Sequence, residues 1–381
     1  MIAGVTSLVA GVTLAVTTDT LQELPGLLLL VPAALAVKGN VFGALGSRLG
    51  TSIHTGTFRL SPRLDTVVGA NLTAAMLLSL VIAVAIALFA KGVAIAFSIS
   101  PTMSVADFIV VSALGGLLAS LVILAITVML AAGSVRFGWD LDNVVSPLVT
   151  AASDVVSLPA LVLAAQVASV DLVTPVLAWV FVATSAVAVV WALVSKFDLL
   201  RVIVRESIPV LLLAGLLDLI AGITIEKRLD DFLEFPVLLV LLPGFLGTAG
   251  ALGGVMSSRL ATKLHLGLLE PGPIPRGSAG GEIMMVFSLS LPVFVVAGVV
   301  AEVGGILANQ ASPGLVDLVL VAVLGGVLAT IFVVIVAYYA TIVAVRFGLD
   351  PDTYGIPMVT SSLDFVGAFA LILAIVAVGV V

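Results

Sequence analysis

Residues 47–56 read Ser-Arg-Leu-Gly-Thr-Ser-Ile-His-Thr-Gly, and residues 258–267 read Ser-Arg-Leu-Ala-Thr-Lys-Leu-His-Leu-Gly, six identities in ten positions at a spacing of 211. A second string behaves the same way. Arg136-Phe137-Gly138, Asp140, Asp142, Pro147, Val149-Thr150 and Asp154 come back as Arg346-Phe347-Gly348, Asp350, Asp352, Pro357, Val359-Thr360 and Asp364, at a spacing of 210. Chance does not repeat polar strings in register across so long an interval. The chain is therefore a tandem of one ancestral unit, and function is sought where the two copies can face each other.

The surroundings of those strings set the class of protein. Hydrophobic residues make up 61% of the 381 positions and charged residues only 10%, and the apolar runs reach the ~20 residues that a membrane-spanning helix needs. The expected fold is an all-α polytopic membrane protein. Residues 1–16 are apolar without a basic leader or a cleavage site, so a retained helix is expected rather than a signal peptide. The absence of cysteine removes disulfides, thiolate metal sites and cysteine nucleophiles. A net charge of −7 argues against nucleic acid as a partner.

Because almost every window is apolar, Gly, Pro and charge clusters delimit the spans. Helices are expected at about 2–18, 25–56, 66–90, 106–135 and 144–168, then an unpaired one at about 173–195, then five more at about 206–226, 236–267, 281–306, 316–345 and 354–379. Five spans per copy is an odd number, so direct fusion would invert the second copy. One linking span restores parallel orientation. The expected domains are residues 1–170 and 205–381 as repeats, with 171–204 as linking helix and connector, about 11 spans around a pseudo-two-fold axis along the membrane normal. With a cytoplasmic N-terminus, Arg59, Arg63, Arg136, Lys196, Arg201, Arg205, Arg276 and Arg346 all fall inside, and the C-terminus falls outside. Lys91, Lys227 and Arg228 dissent.

Asp154 and Asp364 lie some ten residues into the fifth helix of each copy. A charged aspartate at mid-bilayer costs roughly 2.5–3.5 kcal/mol on insertion scales, so it faces a cavity or a counter-charge. Two such carboxylates on one axis repel each other unless a cation sits between them or one takes a proton. A divalent cation satisfies both. The alternative is two independent aspartates, each hydrogen-bonded inside its own bundle. Thr150 and Thr360, one turn earlier, place hydroxyls on the same helix face, and oxygen-only surroundings suit magnesium, held by one or two carboxylates with its waters. Pro147 and Pro357 either break the helical ladder or mark its first turn. The second helix of each copy is glycine-rich, Gly39, Gly43, Gly46 and Gly50 in one and Gly244, Gly247, Gly250, Gly253 and Gly254 in the other, which reads as close packing, accessible carbonyls, or both. His54 and His265 read as hydrogen-bonded structural residues or as metal ligands. Arg48 and Arg259 are expected to snorkel or to pair with Asp140, Asp142, Asp350 and Asp352.

Taken together, Pro32 to Gly56 with Lys38-Gly39-Asn40, the Ser-Arg-Leu-x-Thr string and the Asp350-Pro351, Pro357, Val359-Thr360, Asp364 series resemble the MgtE magnesium channels, and especially their tandem-fused solute-carrier relatives. The resemblance spans nearly the whole chain. It implies that Asp154 and Asp364 are the pore carboxylates, with Thr150, Thr360, Gly39, Asn40 and Gly250 lining the same site. Ala251 stands where a second asparagine belongs and Ala249 faces Lys38, so the site is asymmetric; Asn71 and Glu282 correspond to each other and give one half an extra acid.

The expected function is transport of a divalent cation, foremost Mg²⁺ with other divalents possible, through a central pore within one chain that works as a monomeric pseudo-dimer in the cell membrane. A potential of 100 mV contributes roughly 4.6 kcal/mol to inward movement of two charges, so no coupling ion is required. Exchange against Na⁺ or H⁺ is the alternative, with Lys38 and Glu282 as supporting features. A remote alternative, an intramembrane aspartyl protease, needs Tyr-Asp and Gly-x-Gly-Asp motifs that the chain lacks.

Overall fold

The computed structural model describes residues 2–139, 141–168, 170, 173–265, 269, 272, 274–275, 277–346 and 356–380. Among the described residues the secondary structure is helical throughout: α1 (Ile2–Val16), α2 (Thr18–Glu23), α3 (Leu27–His54), α4 (Val67–Ala96), α5 (Val105–Phe137), α6 (Leu141–Ala168), α7 (Val173–Val194), α8 (Asp198–Glu226), α9 (Leu229–Glu234), α10 (Val237–His265), α11 (Ser278–Leu307), α12 (Leu315–Arg346) and α13 (Ile356–Val378). Ten of these are long and apolar enough to cross a bilayer. The fold is the all-α polytopic membrane protein expected from composition. The duplication is visible in the boundaries themselves. Short α2 recurs as α9 and long α4 as α11, each shifted by 211 residues at both ends, while α7 has no counterpart among the described helices.

Local chemistry explains where these helices start and stop. The Thr66 hydroxyl accepts from the Gly69 amide at 3.1 Å and opens α4. Ser104 and Asp107 form a reciprocal capping box on α5, satisfying two of the amides that a helix N-terminus leaves orphaned. Gly138 ends α5 in the left-handed region at φ 70°, a conformation that costs an L-residue but not glycine. Two of the three cations that dissent from the charge pattern are tied locally. Lys91 donates to Thr102 Oγ1 at 2.8 Å and to the Met103 carbonyl at 2.9 Å, and Arg228 pairs with Asp231 at 2.9 Å.

Apart from its first two residues, the chain divides into two compact units, residues 19–219 and residues 3–18 with 220–381. In the first, α3 packs on α4, α5 and α6, α5 packs closely on α4 and α6, and α7 lies against α4 and α5, with Phe181 and Val182 of α7 seated on Leu80, Val84 and Ala113. In the second, α10 packs on α11, α12 and α13, and α12 on α11 and α13. Equivalent close approaches recur. A Cβ added to Gly115 would meet the Ala160 carbonyl oxygen at 3.1 Å, and one added to Gly325 would meet that of Ala370 at 3.3 Å.

Sequence repeats describe descent and compact units describe packing, and α1 separates the two. It belongs to the unit of residues 220–381, where a Cβ on Gly11 would come within 2.7 Å of Val240 Cα. Backbone cannot yield as a side chain can. Gly11→Val is expected to destabilise the protein by about 1–3 kcal/mol through overpacking, read as a lower thermal midpoint in detergent; an unchanged midpoint would mean that α1 is not seated on α10.

Candidate functional site

Asp154 stands on α6 and Asp364 on α13, both half-buried, in different units. Within the unit of residues 220–381 the depth of Asp364 follows from the α10–α13 contact. A Cβ on Gly253 would touch Leu363 and come within 3.2 Å of Val359 Cγ1, while one on Gly367 would meet Leu246 Cδ2 at 3.1 Å and Ala249 Cβ at 3.9 Å. The helices run past each other antiparallel, and Asp364 falls level with Gly250. Among the described residues, nothing lies within 4 Å of where a Cβ on Gly250 or Gly254 would point. The glycines of α10 thus divide: Gly253 is there for packing, and Gly250 and Gly254 border open space.

The unit of residues 19–219 repeats this design with more polar groups. Here α3 packs on α6, and Gly39 and Gly43, the counterparts of Gly250 and Gly254, also border open space. Thr150 is exposed one turn before Asp154; in the other unit Thr360 Oγ1 donates to the Pro357 carbonyl at 3.1 Å. The buried Asn40 Nδ2 and Ser157 Oγ find no hydrogen-bond partner among the described residues. Their counterparts, Ala251 and Gly367, carry no polar atom. A buried polar group costs free energy unless it is satisfied, and orphans of this kind sit where water or a hydrated ion completes them.

The remaining candidates serve other neighbourhoods. Lys38 is buried and donates to Ser79 Oγ, away from the open side of α3. Asn71 accepts from Arg48 Nε at 2.7 Å, and its counterpart Glu282 accepts from Arg259 Nε at 2.5 Å and Nη2 at 3.1 Å while pairing with Lys263 at 2.5 Å. These two arginines were expected to snorkel or to pair with the loop aspartates. The partners found among the described residues lie on the next helix, because each arginine comes off the final turns of α3 or α10 near the start of α4 or α11. Asp140, Asp350 and Asp352 lie outside the described residues, as do the side chains of Asp142, Pro147 and His265. His54 is exposed at the end of α3. Pro357 sits in the first turn of α13, where its missing amide costs nothing.

One acid escaped the sequence reading. Asp218, in the apolar stretch Leu211–Ile220 of α8, is fully buried. It carried the same signal as Asp154 and Asp364, an acid at lipid depth, but its counterpart is Ser7. A search keyed to repetition passed over it.

Duplicated helical bundles with acids at lipid depth beside open, glycine-lined helix faces are the construction of a membrane transport protein. Comparison with known proteins gives the particular kind. The sequence profile of the MgtE family, described as "Divalent cation transporter", matches residues 31–164 and again residues 242–374, and the chain belongs to that family. It is a transporter and not an enzyme, which disposes of the protease alternative. Solute carrier family 41 member 3 of Mus musculus is 24% identical over 373 residues, 92% of this chain and 75% of that protein. Member 2 of Xenopus laevis is 25% identical over 385 residues, 93% of this chain and 65% of that protein, and member 2 of Homo sapiens is 24% identical with the same coverages. The chain thus spans about two thirds of the member 2 proteins. No solved structure matches it.

Proposed function

We propose that the chain carries Mg²⁺ across the cell membrane along a water-filled path where its two repeats meet, with Asp154 and Asp364 binding one largely hydrated ion between them. Thr150, Thr360, Gly39, Asn40 and Gly250 line that path. The observation that carries this reading is the recurrence of an acid at equivalent places, on α6 and on α13, each helix packed against a glycine-rich partner whose Gly39 or Gly250 borders open space. Magnesium dehydrates reluctantly and is held by one or two carboxylates through retained waters. A wide, carbonyl-rich wall opposite a carboxylate suits an ion of that size. Residues 1–170 and 205–381 act as the two repeats around an axis along the membrane normal, 171–204 links them, and one chain is the working unit, with its N-terminus in the cytoplasm.

Driving force separates this reading from coupled exchange. Proteoliposomes holding a potential of about 100 mV, inside negative and without a sodium or proton gradient, supply roughly 4.6 kcal/mol per ion and are expected to accumulate Mg²⁺. Uptake that requires a Na⁺ or H⁺ gradient and ignores voltage establishes the exchanger instead.

A further inference from the structure

Lys38 has no counterpart charge in the second repeat, and the structure shows how each repeat manages the same volume. In the unit of residues 19–219 the Lys38 amine donates to Ser79 Oγ, which is bonded to Ser120 Oγ, and Ser120 donates to the Gly116 carbonyl at 2.6 Å. With the Ser120 proton committed to Gly116, Ser79 donates to Ser120 and turns its oxygen lone pairs to the lysine. The hydroxyl chain is oriented to accept from the amine. Around it lies a cavity of about 20 Å³, lined among others by Ala34, Val37, Ala83, Ser112 and Gly116, room for about one water molecule.

In the unit of residues 220–381 the equivalent positions are Ala249 for Lys38, Phe245 for Ala34 and Phe294 for Ala83. Phe245 and Phe294 pack ring against ring with centroids 5.1 Å apart, and a Cβ on Gly326, the counterpart of Gly116, would strike the Phe294 ring where one on Gly116 would meet Lys38 Nζ at 3.2 Å. Ser290 and Thr330, the counterparts of Ser79 and Ser120, each donate to their own helix, to the Phe287 carbonyl at 2.9 Å and the Gly326 carbonyl at 2.7 Å. Two aromatic rings therefore build the same helix packing without a charge. An ionised group inside a membrane protein is costly, and the second repeat demonstrates that this packing does not need one.

We infer that Lys38 is a specificity-determining residue of the transport path: a basic amine, held by Ser79 and Ser120 on the side of α3 away from Gly39, that weakens the first repeat's share in binding the divalent ion relative to the second's. Conduction needs binding strong enough to admit the ion and weak enough to release it. Gly39 and Asn40 adjoin Lys38 in sequence, and successive residues project 100° apart around a helix, so the amine acts through the body of α3 rather than by contact. The acids and carbonyls along the open side attract the ion in both repeats; in one of them a like charge behind the wall opposes that attraction. At a given distance such a charge acts twice as strongly on a divalent as on a monovalent ion.

This inference rests on the transport reading, and its test keeps the two apart. Two variants remove the charge. Lys38→Met preserves the length of the side chain, and Lys38→Ala with Ala34→Phe and Ala83→Phe transplants the solution of the second repeat, conserving packed volume. Initial rates of voltage-driven Mg²⁺ uptake in proteoliposomes are expected to show KM lowered at least about threefold in both variants, while the thermal midpoint of the transplanted variant stays near that of the parent. A KM equal to the parent's in both folded variants overturns the inference and leaves transport standing. If the transplanted variant does not fold, Lys38→Met decides by the same criterion. Absence of uptake by the parent protein overturns the transport reading itself and this inference with it.

Discussion

Asp154→Asn with Asp364→Asn is expected to abolish voltage-driven Mg²⁺ uptake in proteoliposomes while the protein still folds. Asparagine keeps the shape of aspartate and removes its charge, so packing on α6 and α13 is preserved. A carboxylate facing a divalent ion across one water, about 5 Å away, attracts it by about 1.7 kcal/mol even at the dielectric of bulk water, roughly 15-fold in occupancy. Two such groups contribute roughly 200-fold, and the lower dielectric of a membrane interior enlarges the effect. Each single variant is therefore expected to lose at least about 15-fold at subsaturating Mg²⁺. Undiminished uptake in the double variant would falsify the assignment of these two residues to the ion site, whatever the family.

The glycines of α10 supply the second test because the structure assigns them opposite roles. Gly250→Leu, and Gly39→Leu in the other repeat, place a side chain where a Cβ meets nothing within 4 Å. Each replacement also gains about 1 kcal/mol of helix propensity. Stability is expected to hold or rise, and flux to fall at least about tenfold, since an apolar side chain level with the carboxylate narrows and dries the path. Gly253→Leu is expected to do the reverse, lowering the thermal midpoint because Leu363 already occupies that space. Parental flux in a stable Gly250→Leu protein would mean that this open face is turned to lipid, and the path would have to be sought elsewhere.

The repeated strings were legible in the sequence, and so was the apolar helix between them, since α7 (Val173–Val194) covers the span expected at about 173–195. The acids at positions 154 and 364 were legible because charge is rare in lipid and theirs recurred. Asp218 shows the limit of that signal: equally charged and buried more completely, it lacked a copy. The partners of Arg48 and Arg259 were missed for a different reason. Arginine reaches several turns, and the sequence does not say which acid or amide stands at the end of that reach. The seating of α1 with residues 220–381 had no sequence signal, because a short apolar helix carries no address for the surface it will cover.

By itself the sequence determined that this chain is a duplicated, helical membrane protein with a recurring acid inside the apolar run of each repeat's fifth helix, because hydrophobic length, charge cost and repetition are properties of a single strand of residues. Tertiary structure alone decided which glycines pack and which open a face, and how a lysine among alanines in one repeat fills the volume of two phenylalanines in the other. The physical reason is that these helices are apolar on every side. With no amphipathic stripe to orient them, their faces are chosen by volume and by the few hydrogen bonds between them, and volume can be matched only when both surfaces are present.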